Sequence, residues 1–203
     1  MSPSTPDTQQ RILAAARRVF VRRGMDGVVM QDIAREAGIS RTALHYYFRR
    51  KDRLFEAVLD DLFADFLPQV ENTLRRDIPL REKVAGFVDE YLDLLKANPY
   101  LPHFIMNELN RHPERIIHRM REKGLFSRRI RRLLDRALRP TAPDADAAQF
   151  IMNLLSLCLF PFIARPLVGA FFTDGARDAF DRFIDGRKRI IVDALMGVVE
   201  EEG

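Results

Sequence analysis

The sequence predicts an all-α protein: three short helices over the first fifty residues, then a larger helical body, about nine helices in all. Three observations carry this. Apolar residues recur at helical spacing in nearly every segment, and no run of alternating β-branched residues interrupts them. Glycine, proline and small hydroxyl residues fall where such helices must stop and start. Charge is also divided: residues 1–50 carry nine Arg and no Lys against four acids, net +5, whereas residues 51–203 carry 24 cations against 25 acids, net −1. The hydrophobic fraction of 47% in 203 residues fills a core and excludes wholesale disorder.

Thr5-Pro6 offers an N-cap and a first-turn proline for a helix over residues 6–23, with Ile12, Ala16, Val19 and Phe20 on one face and Gly24 ending it. A second helix over 30–37 turns Ile33, Ala34 and Ala37 inward and closes on Gly38. Ser40 caps a third, about two turns long, ending at Tyr46 or Tyr47. A long helix over 52–76 carries the stripe Leu54, Phe55, Val58, Leu59, Leu62, Phe63 and Phe66, with Pro68 expected to kink it. Further helices are expected at 80–97, 100–111, 114–138, 145–170 and 176–200, separated by Pro99, Pro113, "RPTAPDAD" and "FTDG". The shift in charge divides the chain into domains 1–50 and 51–203, joined by the long helix.

Several function classes lose ground at once. The start "MSPSTPDTQQRIL" has no apolar signal core, so a cytoplasmic location is expected. The single cysteine, Cys158 in "LLSLCLFPF", excludes an intramolecular disulfide framework and reads as a small buried hydrophobe. Glu108…His112 and Glu114…His118 are each one residue too long for the Glu-x-x-His pairs of a di-iron bundle. No catalytic triad order, phosphate loop or metal spacing stands out, so neither enzyme chemistry nor a cofactor is expected. Residues 145–172 are apolar on nearly every face, but Gln149, Asn153, Ser156, Pro161, Arg165 and Pro166 interrupt them, which favours a buried helix over a membrane span.

The second and third helices, joined by a glycine-containing turn, form a helix-turn-helix pattern. In the third, Leu44 and Phe48 lock the inner edge while Arg41, Thr42 and His45 lie along the other. Arginine can bond guanine O6 and N7, and a threonine methyl can touch a thymine methyl. His45, Tyr47 and Lys51 supply donors where phosphates run. The expected DNA-facing set is Gln31, Ser40, Arg41, Thr42, Ala43, His45, Tyr46, Tyr47 and Lys51.

The stretch "QDIAREAGISRTALHYYFRRKDRLFEAVL" resembles the helix-turn-helix signature of the TetR family of transcriptional repressors. The matching elements are Ile33-Ala34, Ala37-Gly38-Ile39-Ser40, Arg41, Leu44, Tyr47-Phe48 and Lys51-Asp52 with Leu54. Upstream, Ile12, Ala15, Ala16, Phe20 and Gly24 resemble the family's first helix. Two positions depart. Val28-Val29-Met30 stands where the family has a Ser or Thr cap, at a cost of about 1 kcal/mol, and His45 replaces a tyrosine.

The resemblance implies a repressor that binds double-stranded DNA at a palindromic operator as a homodimer and is released by a small-molecule effector. The competing expectation is a helical ligand-binding or protein-interaction module that reads no DNA. The effector residues expected are Phe87, Tyr91, Tyr100, His103, Phe104, Met106, Asn107, Met120 and Asn153, an apolar group with a few polar members. The last two long helices are expected to make a four-helix dimer interface through Ile151, Leu155, Leu159, Phe162, Phe180, Phe183, Ile184, Ile191 and Leu195. Residues 111–139 carry eleven cations against three acids, net +8, a run that reads first as a solvated helix face.

Overall fold

A computed structural model of the chain describes residues 5–23, 27–111, 113–124, 127–141, 146–173 and 177–201. The described residues form eleven helices: α1 Thr5–Arg23, α2 Met30–Glu36, α3 Arg41–Tyr47, α4 Lys51–Arg75, α5 Leu80–Ala97, α6 Leu101–Arg111, α7 Pro113–Glu122, α8 Arg128–Leu138, α9 Ala147–Ile163, α10 Arg165–Phe172 and α11 Arg177–Glu201. They fall into two compact units, Met1–Phe66 and Leu67–Gly203, with α4 running through the division.

In the first unit the expected inward faces are the buried ones. Ile12, Phe20, Ile33, Leu44, Leu54 and Phe55 are fully enclosed. Phe20 meets Phe55 edge to face at 5.0 Å, so the first half of α4 belongs to the same core as α1. Arg17 donates to Asp61 at 2.5 Å along the same seam. The compact unit therefore extends sixteen residues past residue 50. Gly24, expected to end α1, lies outside the described residues, as do 142–145 and 174–176 of the later breaks.

In the second unit α11 packs on α5 and α9, and α6 and α8 pack on α9. Val84, Val88, Leu92 and Leu95 of α5 meet the Leu154, Cys158 and Phe162 side of α9 and the Phe180, Ile184, Ile191 and Leu195 stripe of α11 in a buried core. Lys96 bridges to Asp185 at 2.8 Å and Lys188 to Asp89 at 3.2 Å, clasping α5 to α11 from outside.

Two expected helices are each broken, which gives eleven rather than nine. Gly124 takes φ +80°, a left-handed conformation that ends α7, and Ser127 restarts the chain by accepting from the Ile130 N–H at 3.3 Å. Pro166 has no N–H to continue the α9 ladder, and the chain turns 70° between α9 and α10. Pro68 lies inside α4, which continues to Arg75. Among the described residues no single helix is long and apolar enough to cross a membrane; α9 and α10 pass only as a bent pair.

Candidate nucleic-acid interface

The turn between α2 and α3 is built from its hydrogen bonds. Gly38 takes φ +65°, its N–H reaches the Arg35 carbonyl at 3.2 Å and the Ile39 N–H reaches Ala34 at 3.0 Å, the paired bonds of a Schellman stop. Arg11 donates to the Ala37 carbonyl at 2.9 Å, placing a cation at the negative end of α2. Two residues after the glycine, Ser40 Oγ accepts from the Ala43 N–H at 3.0 Å and starts α3. Leu44 and Phe48 then fix the inner edge of α3 in the core.

The start of α2 bears out the departure read in the sequence. Val29 occupies the cap with no side-chain bond to the helix. Lys51 Nζ donates instead to the Val28 carbonyl at 3.2 Å, pinning the loop that opens α2 from the first turn of α4. Lys51, expected at the DNA, is half-buried and held by this contact. The sequence gives no sign of a side-chain-to-backbone link across 23 residues.

The outer edge of α3 presents Arg41, Thr42 and Tyr46, with Ser40 beside them and Gln31 exposed on α2. Tyr46, the ring the sequence leaves open between packing and display, is 82% exposed and meets Tyr47 edge to face at 5.4 Å. Ala43, His45 and Tyr47 are half-buried. Arg41 Nε lies 3.4 Å from His45 Nε2, which accepts from it. Arg49, exposed just beyond α3, is a cation the expected set lacks; its signal is the "RRK" run, Arg49-Arg50-Lys51.

Acid charge is kept away from this edge. Helix α3 contains no acid. On α2, Glu36 is clamped by Arg18 at 2.7 Å and by Arg22, and their hydrogen bonds hold its carboxyl below the usual carboxylate range. Asp32 pairs with Arg23 and, at 3.8 Å, with Arg35. What faces outward is thus a short capped helix with a cation, a hydroxyl and a ring and no carboxylate, a surface suited to base edges and phosphates.

The expected effector residues are not gathered onto one wall. Tyr100 is buried, its hydroxyl donating to Asn98 Oδ1 at 3.0 Å while Asn98 Nδ2 donates to the Leu94 carbonyl at the end of α5. Phe87 and Tyr91 on α5 are half-buried with ring centres 5.5 Å apart, and burial raises the Tyr91 phenol above its ordinary range. Met120 is half-buried on α7. His103, Met106 and Asn107 lie on the exposed stripe of α6, because Leu101 and Pro102 take its inner side; Asn153 is likewise exposed on α9. The Phe104 side chain lies outside the described residues. A groove of about 370 Å³ along α5 and α11 is lined by none of these residues; Arg81, Asp89 and Lys188 flank it, and they pair with Asp193 and with each other.

The expected dimer residues need correction. Phe162, Phe180, Ile184, Ile191 and Leu195 are buried inside the single chain, and Ile151, Leu155, Leu159 and Phe183 are half-buried. The stripe on α11 meets its own α5 and α9. The apolar side chains left outward are different ones: Met152 and Phe160 on α9, Leu167, Phe171 and Phe172 on α10, Ile190 and Val198 on α11.

Comparison with known proteins bears on residues and fold. A family model described as bacterial regulatory proteins, tetR family, matches residues 12–58. The nucleoid occlusion factor SlmA of Pasteurella multocida is 27% identical over 97 residues, and the match covers 48% of this chain and about half, 49%, of that relative's length. The HTH-type transcriptional regulator BetI of Agrobacterium fabrum is 28% identical over 157 residues, covering 75% of this chain and 73% of the relative. The crystal structure of the regulator FadR from Bacillus subtilis, in complex with stearoyl-CoA, superposes with TM-score 0.67 over 92% of this chain and 97% of its own, at 15% identity, a likeness of fold.

Proposed function

We propose that the chain, which matches the tetR family of bacterial regulatory proteins over residues 12–58 and is similar to BetI over most of its length, is a homodimeric TetR-family repressor that reads a palindromic operator through α3 and is released by a small-molecule effector. The observation that carries the reading is the outer edge of α3: Arg41, Thr42 and Tyr46 displayed by a helix whose other edge, Leu44 and Phe48, is locked in the core. Ser40, Ala43, His45, Tyr47, Gln31 and Arg49 flank the contact, and Lys51 positions α2 rather than gripping phosphate.

A second copy is the natural cover for the outward apolar side chains of α9, α10 and α11, since a two-fold interface is self-complementary. It would set two α3 helices against half-sites about 34–36 Å apart. Residues 1–50 carry the DNA contacts in this reading, and residues 51–203 carry dimerisation and the effector. The inner rings Phe87 and Tyr91 favour an apolar effector body. Its binding would change half-site spacing through α4, with a coupling of about 1–3 kcal/mol.

The test is Arg41→Ala, with Thr42→Ala beside it. Each side chain is exposed, so thermal stability should stay close to wild type. Loss of a base contact should cost about 1–3 kcal/mol at the preferred site and relax preference there. An Arg41→Ala protein that discriminates among duplexes as wild type does would remove α3 as the reader.

A further inference from the structure

Helix α8 is the most cationic element of the second unit. Its sequence, RRIRRLLDRAL, contains five arginines and Asp135, and Arg139 follows directly. Leu134, Ala137 and Leu138 occupy the buried side, against α9. At about 100° per residue, Arg128, Arg132, Arg136 and Arg139 fall together on the opposite side, where all four are exposed.

The arginines here differ from the cations that clasp α5 to α11 and from four of α1 in being unmatched. Arg81, Lys96 and Lys188 on the α5–α11 seam have carboxylate partners, as do Arg17, Arg18, Arg22 and Arg23 of α1. Among the described residues, Arg129 on α8 has one, Glu71 at 2.8 Å, and Arg128, Arg131, Arg132, Arg136 and Arg139 have none. Like charges so close repel, and an external polyanion removes that repulsion.

Three features choose the polyanion. The charges are guanidinium forks, which match phosphate geometry. The apolar side of the helix is already spent on the bundle, so α8 offers nothing to sink into a bilayer or to seat an apolar peptide anchor. Over about 16 Å of helix, a row of exposed charges spans roughly five phosphates of one duplex strand at 3.4 Å each. We infer that the arginine face of α8 is a second, sequence-independent binding surface for the phosphate backbone of double-stranded DNA, separate from the reading edge of α3. It stands on charge and packing alone and does not require α3 to read an operator.

The experiment measures binding to a short random-sequence duplex across a salt series, with the full chain in an R41A/T42A background so that α3 contributes little. The quadruple variant R128Q/R132Q/R136Q/R139Q should bind at least tenfold more weakly at low salt. Its log–log salt dependence should be shallower by about 2–4, since each phosphate contact contributes about 0.9. The matching Arg→Lys variant should restore most of the slope, and the milder R132Q/R136Q should lie between, which guards against a folding defect in the quadruple protein. An unchanged slope overturns the inference. So does a variant that loses binding to phosphatidylglycerol vesicles while keeping the duplex slope, because the face would then belong to a membrane surface.

Discussion

Helices α3 and α8 both turn arginine outward and are both started by a serine, yet they are built for different tasks. Around Arg41 stand a hydroxyl, an imidazole and two phenol rings on a seven-residue helix held between a glycine stop and a buried Phe48. Around Arg132 on the exposed side stand Arg128, Arg136 and Arg139, with Asp135 the one acid of the helix. Varied donors at fixed positions distinguish base pairs, while uniform charge sees only phosphate. Exposure of a cation says little by itself; the variety of its neighbours and the rigidity of its support decide between reading and gripping.

The heaviest blow to this contrast is to remove the support of α3. Leu44 is fully buried, and Leu44→Ala should cost about 2–5 kcal/mol in denaturant unfolding, with sequence preference lost alongside. Leu134→Ala beneath α8 should destabilise too, yet the sequence preference of what remains folded should persist. Next in size is separation of the two reading helices. Phe160→Glu with Phe171→Glu places charge on the outward apolar face and should weaken self-association by about 2–4 kcal/mol, read by sedimentation. Leu195, buried in its own chain, should instead lower stability when truncated.

The serine caps give a finer comparison. Ser40→Ala should cost about 1 kcal/mol in thermal unfolding, because its bond to Ala43 N is 3.0 Å. Ser127→Ala should cost less, its bond to Ile130 N being longer at 3.3 Å. The smallest effect concerns Glu36, whose folded carboxyl lies below its ordinary value of 4.5. Its clamp on Arg18 and Arg22 therefore contributes above about pH 4.5 and is lost as pH falls through the lower folded value. Glu36→Gln should flatten that part of the acid stability profile.

The first unit was largely legible because its instructions are local. A glycine at φ +65°, a serine two residues on and apolar residues four apart specify α2, the turn and α3 within a dozen positions. Cys158 also sits where its neighbours suggested, buried with its thiol pushed up to about 12. The later body was less legible for a physical reason. Helix α9 is apolar nearly all round, and sequence does not say which side meets its own chain and which is left outward. Thus Phe162, Ile184 and Leu195, which the pattern offers to a partner, fill the chain's own core, while Phe160 and Phe171 are left outward. Gly124 has to be recognised as a left-handed stop rather than a helix-interior residue, and the Lys51 contact with the Val28 carbonyl spans 23 residues that no local pattern links.

In the proposed function α3 reads sequence, and does so in pairs. Selection of bound duplexes from a random pool at fixed salt tests it most directly. The expected result is enrichment of a palindrome with half-sites one helical turn apart, about 34–36 Å, and loss of that enrichment in Arg41→Ala. Recovery of duplexes bound tightly at low salt but with no shared sequence would contradict it.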